Sequence, residues 1–149
     1  TKDVTTEFGE FKLNVWRDVI FDEYHFSLTK GFPEKVDVPM VRVQTQSVLQ
    51  DTLGIDEIGK KWSIRKSLQK IADEGTGVFV LINHRDAKTY WLSSLKDENI
   101  EPKRNRRVIG IGSQILRAIG LNKIKVLGTP TKYSGLSGFN IEIEGFIDE

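Results

Sequence analysis

The hydrophobic period of this chain changes once, near residue 50, and that change restricts it to a mixed fold. Before it, the pattern is β. Glu10 to Trp16 alternates, with Phe11, Leu13 and Val15 on one face. His25 to Thr29 reads as a short second strand, and Val38 to Val48 as a third, with Met40, Arg42, Gln44 and Gln46 sharing a face. Gly31-Phe32-Pro33 and Asp37 ahead of Pro39 mark the turns. After it, Ile64, Leu68 and Ile71 recur at helical spacing within a segment from about Glu57 to Glu74, and Gly75 and Gly77 stand where a C-cap belongs. Val78 to Ile82 is short, apolar and without alternation, as a strand buried on both faces is. Residues 83 to 107 read as polar and irregular, anchored by Tyr90, Trp91 and Leu92. A second helix is predicted over Ser113 to Ile119, ended by Gly120, then a strand at Lys123 to Leu127. A turn-rich loop from Gly128 to Gly138 leads to a last strand at Phe139 to Ile143. The order β-β-β, α-β, α-β, β predicts an α+β or α/β fold: a mixed β-sheet, β-rich at its N-terminal part, with helices packed on it. Residues 1–149 form a single domain on this reading.

Composition removes several function classes. There is no cysteine, so disulfides, thiolate zinc sites and cysteine nucleophiles are excluded. The longest apolar run, Val78 to Ile82, is far short of the roughly 20 residues of a membrane span. No signal peptide is visible near the N-terminus, and a cytoplasmic location is expected. The chain begins with Thr1, which suggests a domain excised from a longer protein. The net charge of +1 hides an asymmetry: residues 60–107 carry 12 basic and 6 acidic side chains, the remainder 10 and 15. An anion would therefore be sought in the middle of the chain, while global charge gives no case for nucleic acid.

The candidate constellations are few. Gly110 and Gly112 precede the predicted second helix, where backbone N–H groups and the helix dipole favour a phosphate; a plain tight turn explains the same glycines. Lys103, Arg104, Arg106 and Arg107 stand just upstream and would suit a phosphate ester, or a solvated loop. His84-Arg85-Asp86 follows a strand, without the other elements of a kinase. His25 and His84 are the only histidines and are not spaced as metal ligands. Trp16, Trp62 and Trp91 do not interleave with the basic run, so they read as packing residues and not as base-stacking platforms.

Three stretches resemble the GTP cyclohydrolase II family, whose members open the imidazole ring of GTP and release formate and pyrophosphate in riboflavin biosynthesis. Val38-Pro39-Met40-Val41-Arg42-Val43-Gln44-Thr45-Gln46-Ser47 is similar to that family's Pro-x-x-x-Arg-Val-His-Ser-Glu-Cys strand. Ser67-Leu68-Gln69-Lys70-Ile71-Ala72-Asp73-Glu74-Gly75-Thr76-Gly77-Val78 is similar to its helix ending in Ile-Ala-Glu-Glu-Gly-Arg-Gly. Ile109-Gly110-Ile111-Gly112-Ser113-Gln114-Ile115-Leu116-Arg117-Ala118-Ile119-Gly120 is similar to its Tyr-Gly-Ile-Gly-Ala-Gln-Ile-Leu-Arg-Asp-Leu-Gly.

The resemblance keeps scaffold and loses chemistry. The family's zinc pattern, Cys-x10-Cys-x-Cys, falls on Ser47, Ile58 and Lys60. Isoleucine cannot ligate a cation and a lysine ammonium repels one, so zinc is expected to be absent. The proton-accepting aspartate becomes Asn105, while the arginine nucleophile position keeps Arg107. The nucleotide-handling Arg-x-Glu-Gly-Arg segment falls on Asn83 to Ala87 without matching it. The stretch from Asp86 to Asn105 is shortened. The Thr-Asn-Asn-Pro-x-Lys loop shrinks to Gly128-Thr129-Pro130-Thr131-Lys132, leaving Arg42, Thr129 and Lys132 as the substrate-binding relics. The resemblance thus implies a catalytically degenerate, homodimeric domain that supports or regulates an attached 3,4-dihydroxy-2-butanone 4-phosphate synthase. The alternatives are a GTP- or phosphate-binding sensor, residual cyclohydrolase activity, and a nucleic-acid module drawing on the basic middle.

Overall fold

A computed structural model describes residues 1–55, 62–83, 102–128 and 140–148, with backbone alone for 102–107. Within them lies one sheet of seven strands, β1 (Lys2–Thr6), β2 (Gly9–Asp18), β3 (Glu23–Lys30), β4 (Met40–Thr45), β5 (Gly77–Ile82), β6 (Lys123–Leu127) and β7 (Glu142–Ile147). Helix α1 (Ile64–Glu74) joins β4 to β5, and α2 (Pro102–Ile119) stands between β5 and β6. The spatial order is β1-β2-β3-β5-β4-β6-β7. β1, β2, β3 and β5 pair antiparallel, whereas β5, β4, β6 and β7 run parallel. This is the expected mixed sheet with a β-rich N-terminal part.

Each helix covers one face. Leu68 and Ile71 of α1 pack with Phe11, Met40, Phe79 and Leu127. Ile115 and Leu116 of α2 pack with Val41, Val78, Val80, Ile82, Ile124 and Val126 on the other side. Every buried apolar residue of β5 belongs to one of these two clusters, which is why its sequence shows no alternation. α1 begins at Ile64, where the Ser63 hydroxyl accepts the Lys66 N–H as an N-cap; Glu57, where the expected segment opened, lies outside the described residues. It ends at Gly75, whose N–H donates to the Ile71 and Ala72 carbonyls.

The second helix corrects the sequence reading. It starts at Pro102, so Lys103 to Arg107 are helical and Gly110 and Gly112 lie inside the helix rather than at its N-terminus. No glycine turn exists there to cradle a phosphate. The physical role of Gly112 is close approach: a Cβ at that position would lie 2.7 Å from Val43 Cγ1 on β4. Gly112→Ala is therefore expected to destabilise the protein in urea unfolding. Overpacking of about 1–3 kcal/mol exceeds the roughly 1 kcal/mol that alanine gains as a helix former. Combining it with Val43→Ala should cost less than the two single changes added together. A neutral Gly112→Ala would show that the helix does not sit this close.

Three further differences are local. β1 carries one apolar residue, Val4, and left no periodic signal. β4 stops at Thr45 because the chain turns at Ser47 into a short π-helical turn, Val48–Thr52. The last strand begins at Glu142, after Asn140 adopts a positive φ of 65°; Phe139, its expected start, lies outside the described residues.

Candidate functional site

In a parallel sheet with helices on both faces, the crevice at the carboxyl ends of strands whose connections leave in opposite directions is where ligands collect. Here that point lies between β4, which leads through α1 to β5, and β6, which leads to β7 on the other side. The two strands pair only at Met40↔Lys125 and Val41↔Val126, so β4 leaves β6 from Arg42 onward.

Arg42 occupies the opening. It is buried on the α1 face; the strand period had placed it on one face with Met40 and Gln44, but not its burial. Its guanidinium is engaged by the protein itself. Nε donates to Gln44 Oε1 (2.7 Å), one terminal nitrogen to the Leu127 carbonyl (2.9 Å) and the other to the Trp62 carbonyl (3.1 Å). Arg42 thereby ties β4 to the end of β6 and to the residue leading into α1. Two buried donors on residues bonded to Arg42, Gln44 Nε2 and Trp62 Nε1, have no hydrogen-bond acceptor among the described residues.

Ser47 stands just past the end of β4. Its hydroxyl accepts the Gln50 N–H at 3.3 Å, and its own N–H donates to Asp51 Oδ2 at 2.8 Å. The other oxygen of Asp51 accepts the Ile64 N–H at 3.4 Å, linking this turn to the first turn of α1. A neutral hydroxyl spent on a backbone cap does not fit the thiolate role that zinc requires at this position. Ile58 and Lys60 lie outside the described residues, as do Thr129, Lys132 and His84. Asn105 and Arg107 fall in the first two turns of α2, where the backbone alone is described.

The structure also assembles a group that the sequence did not suggest. Asp18 and Glu23 are cross-strand partners in the β2–β3 hairpin, and Trp16 opposes His25 on the same face. One ligand atom from each of Asp18, Glu23 and His25 lies within 4.8 Å of the others. Spacing along the chain conceals this, because the hairpin register brings the residues together; counting back from the turn at residues 19–22 would have found it. Its chemistry is not that of a prepared metal site. His25 Nδ1 accepts the Asn83 N–H at 3.0 Å, so the ring proton sits on Nε2, the nitrogen 3.9 Å from Glu23 Oε1. A metal-binding histidine has the reverse arrangement, donating from its outer nitrogen and presenting a lone pair to the ion.

The comparisons agree with this scaffold. The family model described as GTP cyclohydrolase II matches residues 1–148. A Pseudomonas aeruginosa protein named 3,4-dihydroxy-2-butanone 4-phosphate synthase is 30% identical over 148 residues, covering 95% of this chain and 40% of that protein. The riboflavin biosynthesis protein RibBA of Cytophaga hutchinsonii is 30% identical over 156 residues, covering 95% of this chain and 38% of that one. The crystal structure of RibBX, a two domain 3,4-dihydroxy-2-butanone 4-phosphate synthase from A. baumannii, superposes with a TM-score of 0.67 at 26% identity. That match covers 99% of this chain and 39% of the other. The chain thus spans about two-fifths of the length of these relatives.

Proposed function

The chain belongs to the GTP cyclohydrolase II family, and from that premise we propose that it is a non-catalytic member that supports or regulates a 3,4-dihydroxy-2-butanone 4-phosphate synthase. One observation carries the reading: the first position of the family's zinc pattern is a serine whose hydroxyl caps a backbone turn. Ile58 and Lys60 at the other two positions, and Asn105 at the proton-acceptor position, support it from sequence. A metal is what would lower the pKa of a water toward neutrality for attack on the GTP ring, and a carboxylate is what would take its proton. Neither group is available from these side chains. The partner follows from the relatives, two of which carry synthase names and one of which is described as two-domain.

The test is an assay of GTP turnover with zinc or magnesium supplied, read as formate release. No release above the buffer rate is expected. Sustained release that scales with protein concentration would end this reading. In a parallel measurement, adding this chain to the synthase of the same organism is expected to change that enzyme's rate or lifetime.

A second reading, a nucleotide- or phosphate-responsive domain, is favoured by the buried donors of Gln44 and Trp62, which have no acceptor among the described residues and sit on partners of Arg42. Buried donors left without acceptors cost about 1–3 kcal/mol each, and a ligand oxygen would recover that. GTP, GMP or pyrophosphate at 100 times its dissociation constant would stabilise the fold by about 2.7 kcal/mol. No thermal shift with any of the three removes the reading.

A further inference from the structure

The β2–β3 hairpin outgrows its sheet. β1 pairs with β2 only over Gly9–Leu13, and β5 with β3 only over Phe26–Lys30. Residues 16–18 and 23–25 therefore have only each other as ladder partners among the described residues. A two-stranded ribbon is marginal in water by itself, and this one is supported on one face. Trp16 packs into the α2 core with its Nε1 donating to Ser27 Oγ at 2.9 Å, and His25 is buried beside it.

The other face and the tip are solvent-exposed. Val15 is 54% exposed, Val19 76%, Ile20 84%, Phe21 51% and Tyr24 48%, which places five of the nine exposed large apolar side chains among the described residues on this one arm. The tip is held in shape: Asp18 Oδ1 accepts the N–H groups of Ile20 and Phe21 at 3.0 and 3.3 Å. Arg17 and Asp22 neutralise each other at 3.1 Å. A cavity of about 450 Å³ opens between the tip and Gly110, Ile111 and Gln114 of α2. A preorganised, charge-balanced apolar surface beside a cavity has the character of an interface core, where charge is depleted and ordering costs are already met.

We propose that this arm is the surface on which the synthase domain docks. The inference rests on the supporting role argued above and adds its location. The occupant follows from lengths: this chain is matched over 95–99% of itself, yet accounts for only about two-fifths of relatives that are named as synthases. Interfaces between domains of one chain usually cover about 600–1,500 Å². Among the described residues the arm offers the most concentrated apolar surface for one.

The experiment supplies the synthase of the same organism as a separate chain and measures its binding by sedimentation. The double change Val19→Ser with Ile20→Ser keeps the backbone hydrogen bonds of the tip. It is expected to weaken binding at least tenfold while melting at the wild-type temperature. Val36→Ser, an exposed apolar position outside the arm, is expected to bind as wild type. If the wild-type chain binds and the arm variant binds equally well, the arm is not the interface, though the supporting role stands. If the wild-type chain does not bind the synthase at all, the supporting role itself fails and the arm with it. If the arm variant alters only self-association of this chain, the occupant is a second copy and the proposal is overturned.

Discussion

Arg42→Met is expected to lower stability by about 3–5 kcal/mol, with a parallel drop in melting temperature, because it removes one side chain on which three separate elements converge. Methionine fills much of the space and keeps the stem apolar. It leaves the Leu127 carbonyl, the Trp62 carbonyl and Gln44 Oε1 without the donors they now have. A buried acceptor stripped of its partner costs about 1–3 kcal/mol, and three lie close enough for their losses to be coupled. Arg42→Lys should recover only part of the loss, since one ammonium on a flexible stem cannot reproduce a planar fork aimed at three oxygens. Urea unfolding measures this directly. A loss under 1 kcal/mol for the methionine variant would mean that the guanidinium is not the internal tie described, and would return Arg42 to the list of groups free to meet a ligand.

Gly77→Ala is expected to be the other severe change, at about 2–5 kcal/mol from backbone strain and overpacking together. Gly77 has φ 154°, and a Cβ there would lie 2.8 Å from the Met40 carbonyl oxygen and 3.1 Å from Ile71 Cγ2. Neither neighbour can yield cheaply: one is backbone of β4, the other a fully buried branched side chain of α1. Gly75→Ala tests a different cause. Its φ is 85° but nothing lies within 4 Å of the added atom, so only the left-handed backbone strain of about 1 kcal/mol applies. Equal losses at the two positions, read from thermal unfolding, would show that crowding at Gly77 contributes nothing.

Much of the architecture was legible because tertiary context agrees with local pattern. Ile64, Leu68 and Ile71 sit at helical spacing and form the buried side of α1 or its margin, and Val78 to Ile82 reads as doubly buried because helices cover both faces. α2 was only half legible. Its first turns hold Lys103 to Arg107, which give no apolar period, and its glycines imitate a turn; the packing of Gly112 on Val43 became visible only in three dimensions. The same distinction runs through the site. The strand period put Arg42 and Gln44 together, but the carbonyls that engage Arg42 come from residues 20 and 85 positions away, which no local pattern encodes. Asp18, Glu23 and His25 share a face only in one hairpin register, and the last strand was placed too early because the alternation of Phe139, Ile141 and Ile143 begins before the chain has passed the positive φ of Asn140.

The strand order also dictates a sequence of events during synthesis. β1, β2 and β3 emerge together and can pair at once, since each neighbours the next in the chain. β4 emerges early yet waits on both sides: its partner β5 must first be led back by α1, and β6 arrives some 85 residues later. Until Leu127 leaves the ribosome, β4 is an exposed sheet edge with apolar Val41 and Val43 on it, the kind of surface that recruits the wrong strand. The bond from Arg42 to the Leu127 carbonyl therefore closes late and takes β4 off the edge. The edge then passes to β6, and only the arrival of β7 at Glu142–Ile147 leaves the nascent chain with a finished sheet.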